Sequence, residues 1–222
     1  MAVEVKKKGR TYQNLPAIIA GELREAILDG ELESGAQLKQ EEISRRFDSS
    51  LIPVREALRN LETEGLVTFY PNKGAFVSGM SSERAREIFE TRILIEKGAL
   101  AMSIPRLTKT DYKAAGRLIE QLDRAKTGKE LSQLNMALHT ILYRRCGNTF
   151  LLELIENLHH QVERYMRRYL IEHLNNDLSQ EFHRRILSAA EEKKIDEACF
   201  DLEQHMRMAM VSLIEALKRE EN

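Results

Sequence analysis

Apolar residues recur at helical spacing along most of the chain, and the pattern changes character once, near residue 80. From Leu15 to Leu28 they fall at 15, 18, 19, 23, 26 and 27, and the run stops at Asp29-Gly30. This predicts one amphipathic helix. A second, shorter helix is expected over Leu38–Phe47, with Leu38, Ile43 and Phe47 inward. Asp48-Ser49-Ser50 then breaks the pattern with three residues suited to a helix N-cap. A third helix is expected from Leu51 to Glu64, ending at Gly65, with Pro53 tolerated in its first turn. Leu66–Tyr70 and Ala75–Val77 are β-prone runs around the turn signal Pro71-Asn72-Lys73-Gly74. Helices followed by a hairpin in this order make a winged helix-turn-helix.

Past the small, polar stretch Val77–Ser82 no strand signal remains. Helices are expected over 82–103, 109–126, 128–146, 148–174, 178–192 and 194–219. The expected fold is therefore mainly α, with an N-terminal winged helix-turn-helix domain over 1–79 and a C-terminal all-α antiparallel helical bundle over 80–222. Arg84, Arg86 and Glu87 read as the wet face of the bundle's first helix.

Composition narrows the class. With 42% hydrophobic and 31% charged residues among 222, the chain has enough apolar side chains for packed cores and too many for a disordered tail. No apolar run approaches the ~20 residues that span a bilayer. The start MAVEVKKKGRTY has no apolar stretch behind its basic residues, so a cytoplasmic location is expected. Two cysteines, Cys146 and Cys199, supply no disulfide framework and are expected as buried thiols. Thirty-four Lys and Arg face thirty-five Asp and Glu, and the two signs nearly balance on either side of Gly79. Any nucleic-acid binding must then rest on the placement of a few cations rather than on bulk charge.

The third helix has such a placement. Val54, Ala57, Leu58 and Leu61 form an apolar face, and Ile52, Arg55, Glu56 and Arg59 the opposite one. Arg55 and Arg59 are four residues apart, so both guanidinium groups project from one side, as a helix lying in a major groove needs. Ser49 and Ser50 offer hydroxyls and free N–H groups to a phosphate. Lys73 at the hairpin tip is placed for a minor groove or backbone contact. The plainer alternative is a solvated face, with the arginines paired to Glu56 or Glu62.

In the helical half, His139, His183 and His205 come from three different helices, and each shares a stripe with apolar neighbours. Burying three imidazoles without partners is costly. Either each finds its own hydrogen bond, or they converge on a metal or an anionic ligand; imidazole favours zinc, nickel, copper or iron. His159, His160 and His173 read as surface or partly buried. A di-iron centre needs two Glu-x-x-His pairs, and only Glu156-x-x-His159 is present. No carboxylate stands obviously beside the three histidines to serve as a general base, so an enzyme is not expected.

Several fixed blocks occur in order: Ala26-Ile27-Leu28-Asp29-Gly30-Glu31-Leu32, Gly35-Ala36-Gln37-Leu38, Pro53-Val54-Arg55-Glu56-Ala57-Leu58-Arg59-Asn60-Leu61-Glu62 and Glu64-Gly65-Leu66-Val67. They resemble the GntR family of bacterial transcription regulators. Where many members have Arg-Thr before the Pro-Val-Arg block, this chain has Leu51-Ile52, so the resemblance implies an altered operator preference. The helical half resembles the FCD effector domain of the FadR-like branch, through Asn135-Met136-Ala137-Leu138-His139, Gly147-Asn148-Thr149-Phe150-Leu151, Glu181-Phe182-His183-Arg184-Arg185-Ile186 and Glu203-Gln204-His205. In its metal-binding members an Asp, a His four residues later and two further histidines hold the ion. The resemblance thus implies a divalent metal at Asn135, His139, His183 and His205, with Asn replacing Asp and zinc or nickel favoured over manganese. It also implies that Arg92 anchors an effector carboxylate; the alternative for Arg92 is a pair with Glu96. The implied whole is a homodimeric repressor that binds a double-stranded DNA operator and a small-molecule effector. A metal-free bundle that binds another ligand or a protein partner is the alternative.

Overall fold

The computed structural model describes residues 14–172 and 177–221. The chain divides into two compact units, Met1–Gly79 and Met80–Asn222. Among the described residues no helix is long and apolar enough to cross a membrane.

The first unit contains α1 (Leu15–Leu28), β1 (Gln37–Leu38), α2 (Gln40–Arg46), α3 (Leu51–Thr63), β2 (Val67–Tyr70) and β3 (Gly74–Val77). Its core is the stripe read from the sequence: Ile19, Leu23 and Ile27 of α1 pack with Val54, Ala57, Leu58 and Leu61 of α3. α3 ends because Gly65 takes a left-handed φ of 75°, which lets the Leu66 N–H reach the Leu61 carbonyl at 2.9 Å. Arg24 of α1 holds Glu64 through two hydrogen bonds, one of 2.7 Å, and so fixes the end of α3 against α1.

Two expectations are corrected here. The second helix begins at Gln40 rather than Leu38. Leu38 instead pairs with Ala75, and Gln37 with Phe76. The expected hairpin is therefore an antiparallel three-stranded sheet in the order β1-β3-β2. Leu38 is buried in either arrangement, so its apolar character did not distinguish a helix start from a strand.

The second unit holds α4 (Ser82–Ser103), a 3-10 turn at Ile104–Arg106, α5 (Lys109–Leu122), α6 (Gly128–Tyr143), α7 (Thr149–Glu172), α8 (Asp177–Glu191) and α9 (Ile195–Glu221). Side-chain caps start three of them. Ser81 accepts from the Arg84 N–H at α4 and Thr127 from Glu130 at α6, while Thr108 and Asp111 form a reciprocal capping box at α5. Two apolar clusters divide the bundle. One gathers Leu100, Leu138, Leu142, Ile186 and Leu202; the other gathers Phe89, Val162, Leu213 and Leu217. The buried polar residues described below include Arg92 and Glu96, set along α4 between Phe89 and Leu100.

Asp111 is fully buried. It accepts hydrogen bonds from the Thr108 N–H and hydroxyl at 2.8 and 2.7 Å and pairs with Arg144 and Arg145 just past α6. It thereby anchors the end of the helix that carries His139. Asp111→Ala is expected to lower stability by about 2 kcal/mol, since hydrogen bonds to a charged group are lost while both arginines keep access to water. Urea unfolding checks this: a midpoint shift with an unchanged slope is expected.

Candidate functional site

The surface of the first unit is built on α3. Ser50 caps it with extended backbone and no side-chain hydrogen bond to the helix, so the first-turn N–H groups stay available to an outside acceptor. Asp48, at φ 44°, turns the chain into that cap, and the Ser49 hydroxyl reaches the Ser50 carbonyl at 3.2 Å. Ile52 is 68% exposed, and Arg55 and Arg59 are exposed on the same side of the helix. Arg55 Nε donates to Gln40 Oε1 at 2.8 Å, so a neutral amide orients this arginine. Arg59 donates to Glu62 at 2.6 Å and lies over the Phe69 ring at 4.3 Å. Lys73 is exposed at the β2–β3 turn, and the Gln37 amide holds its carbonyl at 2.8 Å. Sequence reasoning missed Gln37, Gln40 and Phe69, whose roles depend on long-range contacts.

In the second unit His139 of α6, His183 of α8 and His205 of α9 converge. One ring nitrogen from each lies within 4.8 Å of the others, and all three residues are buried. His183 Nε2 and His205 Nε2 are 3.2 Å apart. Two nitrogens that share one zinc at roughly 2.0–2.1 Å would stand at about that separation.

Neighbouring side chains determine which nitrogen carries the proton on two of the rings. The Tyr143 hydroxyl donates to Glu96 Oε2 at 2.9 Å and lies 2.8 Å from His139 Nδ1. Its single proton is committed to Glu96, so Nδ1–H of His139 donates to it, and Nε2 keeps a lone pair. That Nε2 is buried without a partner. Gln180 Oε1 lies 3.2 Å from His183 Nδ1 and fixes the same tautomer there. His205 Nδ1 is also buried and unpartnered. Burial drives His139 and His183 well below the usual imidazole range, and the neighbouring His205 adds to it. Burial and then the Arg92 charge bring His205 to about 4. All three are neutral at pH 7, the form that ligates metals. Neutral rings that each bring one nitrogen within 4.8 Å of the others, with an orphaned Nε2 among them, fit a divalent ion. Asn135 lies one turn before His139 on α6 and is half-buried.

Arg92 is buried, and its Nε donates to Glu96 at 2.7 Å. The intrahelical pair is therefore present, yet the guanidinium also acts on His139, His159 and His205. Glu96 is the carboxylate that sequence reasoning did not place near the histidines, and its link runs through Tyr143. Spacing offered a signal: Glu96 follows Arg92 by four residues and Tyr143 follows His139 by four.

His159 was expected at the surface or partly buried and is instead buried, with Nδ1 unpartnered. Its neighbour His160 is partly buried against Glu163, as expected. His173 lies outside the described residues. Cys146 is buried, but Cys199 is only half-buried.

A winged DNA-reading unit and an all-helical unit with a buried histidine centre, carried on one chain, define a one-component transcription regulator. The comparisons agree. Residues 17–77 match the gntR family of bacterial regulatory proteins, and residues 87–208 match the FCD domain. The chain belongs to the GntR family and carries an FCD domain. It is 27% identical over 199 residues to the HTH-type transcriptional regulator McbR of Escherichia coli (strain K12), covering 85% of this chain and 87% of that protein. The solved E. coli McbR/YncC structure shares the fold, with a TM-score of 0.78 at 24% identity over 91% of this chain and 98% of that one. A solved GntR family member from Pseudomonas syringae pv. tomato str. DC3000 is 35% identical, covers 94% of this chain and 88% of that chain, and has a TM-score of 0.59. The HTH-type transcriptional repressor GlaR of E. coli is 27% identical over 150 residues, 64% of this chain and 68% of that protein. The chain is a DNA-binding transcription regulator of this family and not an enzyme.

His159 gives the helical unit a pH signature. Burial and then the Arg92 charge lower it from 6.5 to about 3, against an opposing pull from Glu163; His160 on its own helix and His139 of α6 also face it. The folded state therefore binds fewer protons than the unfolded state between these two values, so stability falls as pH drops from 6.5 toward 3 and is unaffected above 6.5. His159→Leu is expected to flatten that fall by up to ~1.4 kcal/mol per pH unit. Urea midpoints of both proteins across pH 4–8 check it.

Proposed function

We propose that this regulator is a homodimeric, cytoplasmic repressor whose two α3 helices enter adjacent major grooves of a palindromic operator, and whose helical unit binds a small carboxylate at a divalent metal. The convergence of three neutral, buried imidazoles carries the ligand half of this reading. His139, His183 and His205 would hold the ion, with the Asn135 carbonyl oxygen as a fourth donor, and the ion would supply positive charge for a carboxylate. Arg92 stands beside the rings to receive the same group, and Glu96 keeps its side chain in place. Four uncharged ligands favour zinc or nickel over manganese. Homodimer formation is supported by the Leu94–Gly98–Met102 stripe of α4. Leu94 and Met102 are 76% and 43% exposed, and Gly98 leaves open space for a close helix. Repression fits the similarity to GlaR, a transcriptional repressor, and ligand binding would release DNA if it favours a dimer geometry unsuited to the operator.

Elemental analysis of untagged protein is the direct test of the centre. About one ion per chain is expected, and His183→Ala is expected to lose it. Asn135→Asp should tighten zinc binding by adding a negative charge to the shell. Weaker binding in that variant would remove Asn135 from the ligand set. An ion-free protein after soaking in zinc or nickel would overturn the metal reading.

On the DNA side, Ile52 at the start of α3 is an apolar group among donors, and its partner in a major groove would be the thymine methyl. Arg55 would contact a guanine. Arg55→Ala is expected to lower affinity for a selected operator by ~1–3 kcal/mol and relax the preference at one base pair. Replacing thymine by uracil at the contacted position should weaken the wild type and leave Ile52→Ala unaffected. Lys73→Ala is expected to weaken binding evenly on all sequences and to flatten its salt dependence. Titrations at two salt concentrations read all three.

A further inference from the structure

Arg55 and Arg59 lie one turn apart on the exposed side of α3 and carry the same charge, yet their neighbours leave them different donors. An arginine has one N–H on Nε and two on each terminal nitrogen. It meets the O6 and N7 acceptors of a guanine with two parallel donors. These are either the two terminal nitrogens together, end-on, or Nε with one of them, side-on. In Arg59 a terminal nitrogen donates to Glu62 at 2.6 Å, and the guanidinium lies over the Phe69 ring at 4.3 Å. Its charge is met locally and its terminal fork is partly occupied. Arg55 is held the other way round. Its Nε donates to Gln40 Oε1 at 2.8 Å, and it has no other partner among the described residues. Of the two, only Arg55 keeps both terminal nitrogens open.

The residue that holds it comes from another helix. Gln40 opens α2, 15 residues earlier in the chain, and is half-buried where α2 packs on α3. Nε can only donate, so the amide must turn its oxygen toward Arg55. A carboxylate in this place would hold the same nitrogen and also oppose the charge. The amide holds it and leaves the charge whole. Glu42, two residues further along α2, is engaged by Lys39 at 2.9 Å and so does not compete for the guanidinium.

We propose that Gln40 is a positioning residue for base readout. By occupying Nε it closes the side-on approach to Arg55 and presents the two terminal nitrogens end-on to the O6 and N7 of a guanine. Gln40 itself touches no base. This rests on the reading of Arg55 as a guanine contact and deepens it.

The gain is preorganisation. A free exposed arginine samples many rotamers, and fixing one of them on binding costs entropy. Gln40 removes part of that cost before DNA arrives, and only the orientation it selects benefits. Its effect therefore falls on the choice of base. Attraction to the phosphates depends on the charge, which the amide does not change.

Affinities of the full chain for three duplexes test this: one selected by the wild-type protein from a random pool, one unrelated, and the selected one with A·T in place of a single G·C pair. The replaced pair is the one whose preference Arg55→Ala relaxes, and the wild type is expected to prefer G·C there by about ten-fold or more. Gln40→Leu removes the acceptor. It is expected to cut that preference about five-fold while leaving the salt dependence and the affinity for the unrelated duplex unchanged. Gln40→Glu restores an acceptor and adds a negative charge beside Arg55. It is expected to keep the preference, weaken binding to every duplex and flatten the salt dependence. In an Arg55→Ala background, Gln40→Leu is expected to change nothing further. Equal weakening of all three duplexes by Gln40→Leu would mark a merely structural residue and overturn the proposal. So would loss of the preference in Gln40→Glu, or a further loss in the Arg55→Ala background. If Arg55→Ala relaxes no base pair, the guanine reading and this proposal fall together; if it relaxes one and Gln40→Leu leaves that preference intact, only this proposal falls.

Discussion

The helical unit is organised around the cost of burying three imidazole rings against one another. Burial is the main cause that lowers all three below the usual imidazole range, with nearby positive or imidazole groups adding to it, so each stays neutral at pH 7. Two are then oriented from behind: His139 by Tyr143 and Glu96, His183 by Gln180. Glu96 is itself held by Arg92, so one buried chain of hydrogen bonds runs from a guanidinium on α4 to a ring on α6. Such second-level partners fix the tautomer and turn the lone pair to a defined point. The core clusters and the Asp111 anchor hold the helices that this chain connects.

The same logic separates what the sequence showed from what it hid. Helix spacing alone identified the apolar faces of α1 and α3 and the helical character of the described elements after residue 82, because an amphipathic stripe is a local property. It also placed His139, His183 and His205 on inward stripes. Leu38 was misplaced because a buried leucine fits a helix start and an edge strand equally well, and only its pairing with Ala75 decides. His159 was misread for a different reason. It lies four residues after Ile155 and three before Val162, on the buried stripe of α7, whereas His160 aligns with Glu156 and Glu163. That spacing was legible and went unused, and the packing of α7 against α4 and α6 follows it. Gln40 and Phe69, which orient the two arginines of α3, were invisible because each acts across a distance in sequence.

The two units solve opposite problems with the same residue types. On α3 the arginines remain exposed, and their neighbours orient them without removing them from water; Gln40 contributes no opposing charge to Arg55 at all. In the bundle, Arg92 and Arg167 are buried and each is matched by a glutamate four residues away on its own helix. Pairs within one helix are set in geometry by that helix and need no tertiary adjustment. They place full charges inside the bundle with local neutrality, leaving the uncharged polar atoms as the groups with capacity to spare.

That spare capacity suits the effector role proposed for the bundle. A ligand shifts an equilibrium only by the difference in its interactions with the two states. A site whose polar atoms were already satisfied by the protein would have to break those bonds to take a ligand, and the gain would be small. His139 Nε2 and His205 Nδ1 have no hydrogen-bond partner among the described residues. A ligand of the kind proposed would meet them without breaking an existing bond, so those interactions would add in full to the free energy of binding. Helices α4, α6, α8 and α9 all contribute a residue to this region. A ligand that satisfies these atoms therefore draws on most of the bundle at once, and a regulator needs that breadth for binding to alter the unit as a whole.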